Sequence, residues 1–400
     1  MRSLNSAESM FEGSSITSFS GANGGVADFK SLTNANDMFR DCEKLVSIDI
    51  DASALQTVEG FVNGCSALES FSGSLSSLVD GTDMFSGLER FKSFYADLTS
   101  LKDATDMFSG TALSSFTVDL PSLTTGTRMF YGTPLEIVEV NAPELLYGDD
   151  MFGECESLAE ITFNTPLLKN ADRMMVGTVV TTISLDTPEL ESAEGMFEDV
   201  RSLTSFSGDL SNLRNGNAMF KNTSLDLFDV QSLDNLVTAD EMMVGTQITE
   251  WNLELPNLES ADGMFTAYVE EVEGEEEPLT INPALVSFDG DLSALKNGDN
   301  MFRDCVNLEH FDAPLSSLES GIDMFTNCKL DAQSLMYILG TLPTPPEGES
   351  RNITIGVNSN GLTLLDFLTE HGIYTDYDDL YLRTYYNGWN LTLIGNQPYE

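Results

Sequence analysis

The sequence predicts a parallel β-solenoid of about fourteen short coils, closed at its C-terminal end by a small α/β cap. Two residue columns and one interval predict it. Of 17 methionines, 13 share a register: Met10, Met38, Met84, Met107, Met129, Met151, Met174, Met196, Met219, Met242, Met264, Met301 and Met324. Phe61 fills the remaining place. Successive anchors lie 22 or 23 residues apart except for two steps of 28 and 37. Six residues before every anchor stands a leucine, from Leu4 through Leu101 and Leu236 to Leu318. A fixed period of this length is the mark of stacked repeats.

One coil reads MFEDVRSLTSFSGDLSNLRNGNA from Met196. Alternation of apolar and polar residues between Leu203 and Leu210 predicts a short strand, as it does at 45–50 and 158–163. A helix of ten residues does not fit beside a strand and two turns in one coil, so the remainder is extended, turn or 3₁₀ structure. A single coil cannot bury its own apolar side, and stacking gives parallel strands about 4.8 Å apart over one core.

Two insertions break the period. The first coil gains about six residues around Gly21–Gly25, and the coil of Met264 gains about fourteen. The second insertion holds six glutamates between Val269 and Pro278. It reads as a solvated loop or as a docking loop for a basic partner or a cation. After residue 330 the pattern stops, which divides the chain into a solenoid over 1–330 and a cap over 331–400. Asp331 is a predicted N-cap for a helix ended by Pro343. Strands are predicted over 352–357 and 388–394, and helices over 362–370 and 378–386.

The pattern M-F-x-x-C-x-x-L-x-S-F over residues 1 to about 330 resembles the bacterial surface-antigen type of leucine-rich repeat, called BspA-like or Treponema-type. The resemblance implies a leucine-rich-repeat solenoid. The chain departs from that family in carrying Met where Ala is usual, and in a recurring Ser-Phe-Ser-Gly-Asp-Leu. Similar variants occur in gut-bacterial surface proteins and in bacteriophage structural proteins. The cap is similar to those of related proteins in its Gly388-Trp389 pair, with Trp389 read as a plug on the last coil or as a sugar-stacking ring.

Composition narrows the function. With 18 Lys and Arg against 65 Asp and Glu, the net charge is −47. That excludes phosphate-led nucleic-acid binding and disfavours anionic lipid. No apolar run reaches the roughly 20 residues of a membrane helix, and residues 1–9 show no signal peptide. Cys42, Cys65, Cys155, Cys305 and Cys328 all lie four residues after an anchor, in a slot filled elsewhere by Thr111, Thr133, Thr178, Val200 and Thr223. That slot is a packing position, though Cys42 with Cys65 and Cys305 with Cys328 sit on neighbouring coils, where oxidation could join them. His310 and His371 are isolated from any nucleophile, and phosphate-binding, nucleophile-elbow and zinc-protease motifs are absent.

The polar feature with register is an outward ladder on the predicted strands. It includes Asp51, Asp97, Asp119, Asn141, Asn164, Asp186, Asp209, Glu254 and Asp291. Like charges about 5 Å apart in water repel by roughly 0.8 kcal/mol per pair. The ladder reads as a solubility device or as a surface for a basic protein, a host-surface receptor or a glycan. Asp97, Asp119, Asp186 and Asp209 are the expected positions for weak calcium binding; no other cofactor is expected. Leu4, Phe11 and Phe19 lie in a coil with no preceding cap and are expected to form an interface. The expected function is non-enzymatic interaction, with a bacteriophage virion component such as a tail fibre as the first reading. A bacterial cell-surface adhesin whose leader is absent from the chain is the alternative, and a carbohydrate-active enzyme is third.

Overall fold

The structure is a computed structural model that describes residues 4–117, 119–270, 279–281, 283–358, 369, 381–386 and 388–395. The chain packs as two compact units, residues 1–190 and 191–400. In the first unit the strands Ser47–Asp51, Ser70–Ser74 and Ser93–Asp97 pair in parallel with no slip of register. Ser115–Phe116, Ile137–Asn141 and Glu160–Asn164 continue in the same way. In the second unit Ser205–Gly208 pairs with Leu227–Val230, and Glu250–Trp251, Ser287–Asp289 and His310–Asp312 form a further parallel set. Both insertions leave the ladder intact. The first falls between Ser18–Phe19 and Ala27–Asp28, which both pair with Ser47–Asp51. The second is flanked by an antiparallel hairpin of Tyr268–Glu270 and Leu279–Ile281. Its glutamates at 271, 273 and 275–277 lie outside the described residues.

The turn around each anchor explains why no helix is needed. All fourteen residues immediately before an anchor have left-handed φ, among them Asp83, Asp106, Arg128 and Ala218. So do thirteen of the fourteen residues three places after an anchor, mostly Gly, Asp and Asn. Gly, Asn and Asp accept this conformation at low cost, which is why they recur there. Between the two left-handed residues the amides alternate in use. Asp83, Phe85 and Gly87 donate to carbonyls of the next coil, at Thr105, Met107 and Ser109. Met84, Ser86 and Leu88 donate three residues back within their own coil. Every amide from Asp83 to Leu88 is thereby satisfied, as buried backbone requires. Isolated bridges four residues before the anchors, such as Asp80↔Asp103 and Asn215↔Thr238, form a second parallel ladder.

The core is a herringbone of rings. The leucine column is buried from Leu32 to Leu318, and the anchors from Met38 onward are buried as well. In the first unit Phe85, Phe108, Phe130 and Phe152 stack at 5.5–5.7 Å with interplanar angles of 4–9°. A strand column runs beside them and meets them edge-on, as where Phe94 touches Phe108 at 5.0 Å and 70°. In the second unit Phe265, Phe302 and Phe325 stack in the same way, with Phe288 and Phe311 against their edges. Stacked and edge-on pairs both satisfy the ring quadrupole. A coil spacing near 5 Å therefore suits an aromatic at each of two columns.

The cysteine slot does more than pack. Each thiol donates to the carbonyl one residue after the preceding anchor, as Cys65 to Phe39 at 3.0 Å and Cys155 to Phe130 at 3.1 Å. Thr111, Thr133 and Thr178 fill the slot by donating to that carbonyl in their own coil at 2.8–2.9 Å. All five cysteines are buried and outside disulfides. Burial pushes Cys65 up to about 12 from 9.0.

At the C-terminal end Asp331 caps the helix α1, Ala332–Thr341, by accepting from the Ser334 amide at 2.7 Å. Strand Gly321–Leu330 heads a four-stranded sheet with Arg351–Val357, Trp389–Gly395 and Tyr381–Tyr386. The last of these corrects the helix expected over 378–386. Tyr-Leu-Arg-Thr-Tyr-Tyr is aromatic and β-branched enough to take a strand and pairs antiparallel to 389–394. The helix expected over 362–370 lies outside the described residues except for Thr369. Trp389 is fully buried and donates to the Pro343 carbonyl at 2.8 Å, so it presents no face for a sugar.

Three outcomes follow for stability. Leu236→Ala removes a fully buried side chain and should cost about 2–5 kcal/mol in denaturant unfolding; a loss near zero would mean the column is not core. The buried Thr165 hydroxyl has no hydrogen-bond partner, so Thr165→Val should stabilise by about 1 kcal/mol. A loss instead would show that the hydroxyl is satisfied. Cys65 stays protonated in the fold while the unfolded thiol ionises above 9.0. Its contribution is complete below pH 9 and is lost as pH rises toward 12, at roughly 1.4 kcal/mol per unit. Cys65→Thr should flatten that slope in melts between pH 8 and 11, and an unchanged slope would assign it to other groups.

Candidate functional site

Strand alternation turns three residues of each coil outward. Around Phe94 these are Ser93, Tyr95 and Asp97, and around Phe116 they are Ser115, Thr117 and Asp119. None of the nine sequence-predicted ladder residues is buried. Asp97, Asp119, Asn164, Asp186 and Glu254 are exposed, and Asp51, Asn141, Asp209 and Asp291 are half-buried. No lysine or arginine occupies any of the three outward columns in either unit.

The ladder has a structural duty that the sequence reading missed. Asp51, Asp97, Asp209 and Asp291 each accept a hydrogen bond from the amide two residues on, at 3.3, 3.0, 2.9 and 2.7 Å. These bonds end the strand and start the next turn, the usual habit of aspartate side chains. Hydrogen bonding by Ser211 holds Asp209 below the ordinary carboxylate range. The signal was legible as Asp-x-Ser/Thr in Asp51-Ala-Ser53, Asp97-Leu-Thr99, Asp209-Leu-Ser211 and Asp291-Leu-Ser293. Amides relieve part of the column's repulsion, since Asn141 donates to Asp119 at 2.9 Å and Asn164 to Asn141 at 2.7 Å.

Basic residues neutralise other parts of the surface. In the first unit Arg40 pairs with Asp37 at 3.3 Å, Lys92 with Glu69 at 2.7 Å and Arg128 with Asp106 at 2.9 Å. The Arg128 guanidinium also lies 4.2 Å over the Tyr131 ring. In the second unit Lys221 bridges Glu198 and Glu241, and Arg303 reaches Asp323. Lys30, at 3.4 Å from Asp51, reaches the ladder from outside the columns. Among the described residues no basic side chain pairs with Asp97 or Asp119. Exposed pairs contribute little stability each, but their distribution leaves Asp97 and Asp119 on the sheet face without a basic partner among the described residues.

Two depressions among the described residues of the sheet face lie where one parallel set ends and the next begins. The first lies in unit one between Ser93–Asp97 and Ser115–Phe116 and holds about 570 Å³. Gly73 and Ala96 line it, at strand positions where the buried Ile50 and Val140 stand in other coils. Gly73 has φ +135, and a Cβ there would meet the Ile50 carbonyl oxygen, so only glycine fits that position. Tyr95 stands at its edge, 72% exposed, with Asp97, Thr117 and Asp119 around it. The second depression lies in unit two between Leu227–Val230 and Glu250–Trp251 and holds about 160 Å³. There the buried Trp251 indole is stacked between Phe228 and Phe288 and donates to the Leu253 carbonyl.

The remaining expected sites fare differently. Among the described residues no group of three or more His, Cys, Asp or Glu side chains is placed to hold a metal ion. Asp97, Asp119, Asp186 and Asp209 thus offer separate carboxylates rather than a calcium cage. His310 is half-exposed, with Nδ1 3.8 Å from Asp331, and His371 lies outside the described residues. Leu4, Phe11 and Phe19 are half-buried. The two rings pack on Phe39 at 5.4 and 4.9 Å. No helix among the described residues is long and apolar enough to cross a membrane.

The chain was compared with known proteins and structures. A crystal structure of a leucine-rich repeat protein from Bacteroides ovatus is 19% identical, with 80% of this chain and 91% of that one covered and a TM-score of 0.48. A leucine-rich repeat protein from Eubacterium ventriosum is 15% identical, covering 72% and 77%, with a TM-score of 0.38. A leucine rich cell surface protein from Faecalibacterium prausnitzii is 11% identical, covering 73% and 80%, with a TM-score of 0.34. No curated protein matches the sequence. The profile of the BspA type leucine rich repeat region matches in six copies over residues 7–136, 123–240 and 285–341. Those segments span most of the sequence and the same coils whose backbone ladders and ring columns are described above, and the chain belongs to the BspA-type leucine-rich repeat family.

Proposed function

We propose that the chain is a non-enzymatic interaction protein of the bacterial cell surface, an adhesin that engages basic partner proteins through its sheet face. The observation that carries this reading is the distribution of charge. The outward columns hold mainly acids, amides and hydroxyl residues, interrupted by Ile137, Leu227 and His310, with no lysine or arginine, while most ion pairs form on other parts of the surface. A regular face of one sign speeds encounter with a partner of the opposite sign. The resemblance to surface antigens and the repeat family favour the cell-surface reading over the virion component expected first.

Two measurements test the proposal. An antibody against the chain should label intact cells, and surface proteolysis should remove the signal; recovery in purified phage particles instead would restore the virion reading. For the face itself, Asp97, Asp119, Glu139 and Glu160 should be changed together to the matching amides. The control changes the exposed Glu43, Glu89, Glu144 and Glu156 to Gln. Association with an arginine-rich polypeptide at low salt should slow by about tenfold in the first variant and less than about twofold in the second. Equal slowing would mean that net charge, not the sheet face, governs the encounter.

A further inference from the structure

We infer that the depression beside Tyr95 is a receptor for an arginine side chain of a basic partner segment, with the Tyr95 ring stacked on the guanidinium and Asp97 and Asp119 accepting its N–H groups. This rests on the sheet-face reading above and names one place on that face where specificity is built.

Four observations converge. Tyr95 is an aromatic ring held 72% exposed at the centre of a face whose neighbouring outward residues are small, Ser72 on one side and Thr117 on the other. The ring is therefore open from the side as well as from above. Gly73 and Ala96, with little or no side chain, line the space beside it, and its volume of about 570 Å³ admits a guanidinium and its stem. Asp97 and Asp119 follow one another in a single column without an amide between them. Each has one oxygen engaged, Asp97 by the Thr99 amide and Asp119 by the Asn141 side chain. A second oxygen remains on each for an incoming donor.

The fourth observation is internal. The chain already holds arginines in this manner. Arg128 lies 4.2 Å over Tyr131 while its Nε donates to Asp106 at 2.9 Å. Arg351 lies 6.0 Å over Trp389 with Glu319 at 4.0 Å. The Tyr95 site has the ring and the carboxylates of these arrangements, and among the described residues no arginine pairs with its carboxylates. A planar guanidinium both stacks on an aromatic face and reaches two carboxylates, whereas a lysine ammonium offers one compact charge. A neutral sugar could also stack on Tyr95, but it would leave the two carboxylates uncompensated.

The test uses the full chain and three probes: a blocked Gly-Arg-Gly-Arg-Gly peptide, its lysine counterpart and a neutral glucose oligosaccharide. Binding is followed by NMR titration at 20 and 200 mM salt. The arginine peptide should bind about threefold tighter than the lysine peptide, and Tyr95→Ala should weaken it by about fivefold. Tyr95→Phe should retain most of the affinity because the ring face is kept. The Asp97→Asn, Asp119→Asn pair should weaken binding and reduce its salt dependence. Because Tyr95 is exposed, both Tyr95 variants should keep the parent melting temperature, and the Tyr95→Phe result stands even if the aspartate pair loses stability. Unchanged arginine-peptide affinity in Tyr95→Ala overturns the proposal. So does an oligosaccharide affinity that depends on Tyr95 while the peptide's does not, which would assign the depression to glycan. If Tyr95→Ala has no effect while the four-acid sheet variant still slows association, the sheet-face function survives and only this receptor is lost.

Discussion

Within each unit, successive coils are held by backbone bonds from one coil to the next. Amides on alternate residues of the anchor turn have their acceptors in the neighbouring coil, as Asp83, Phe85 and Gly87 do at Thr105, Met107 and Ser109. That register forces equivalent residues into line. Once they are in line, the leucine column, the methionine column and the two ring columns are consequences rather than separate inventions. A coil one residue shorter still fits, because the loss is absorbed between the cysteine slot and the next apolar site, where the exposed Pro134 alone separates Thr133 from Leu135 while Ser66 and Ala67 separate Cys65 from Leu68.

The same constraint explains what the chain tolerates. Large insertions occur only where they leave the inter-coil bonds intact, between two half-strands that share Ser47–Asp51 and within a hairpin at Tyr268. Cysteine and threonine exchange freely in one slot because either can donate to a carbonyl one residue past an anchor. Burial raises the thiols of Cys65, Cys155, Cys305 and Cys328 above the ordinary range, and all five buried cysteines act as hydrogen-bond donors. Positive φ at Arg128 or Ala218 is carried by the surrounding ladder.

Function enters where regularity relaxes. The outward columns are free of packing demands, and the chain has placed acids there and kept lysine and arginine out. Several of those acids also close the strand by bonding the amide two residues on, so one side chain serves both the turn and the surface. The depressions fall at interruptions of the parallel ladder, where small inward residues at Gly73 and Ala96 or a large one at Trp251 break the matched packing of successive coils.

The coils, the buried leucine and anchor columns, the strand positions and the helix capped by Asp331 were legible in the sequence, because a period of 22 or 23 residues repeats each requirement many times. The outward ladder was legible for the same reason. The strand at Tyr381–Tyr386 was not, since a unique segment offers a single short pattern and its partner at 389–394 decides its conformation. The left-handed pair around each anchor was written in the Gly, Asp and Asn preferences, yet its purpose appears only when the next coil supplies the acceptors. The Tyr95 depression could not be read from the chain at all. It depends on Gly73 and Ala96 lying side by side across a strand pair and on Asp97 and Asp119 being brought together from residues 22 apart, and only the stacked register creates those neighbours.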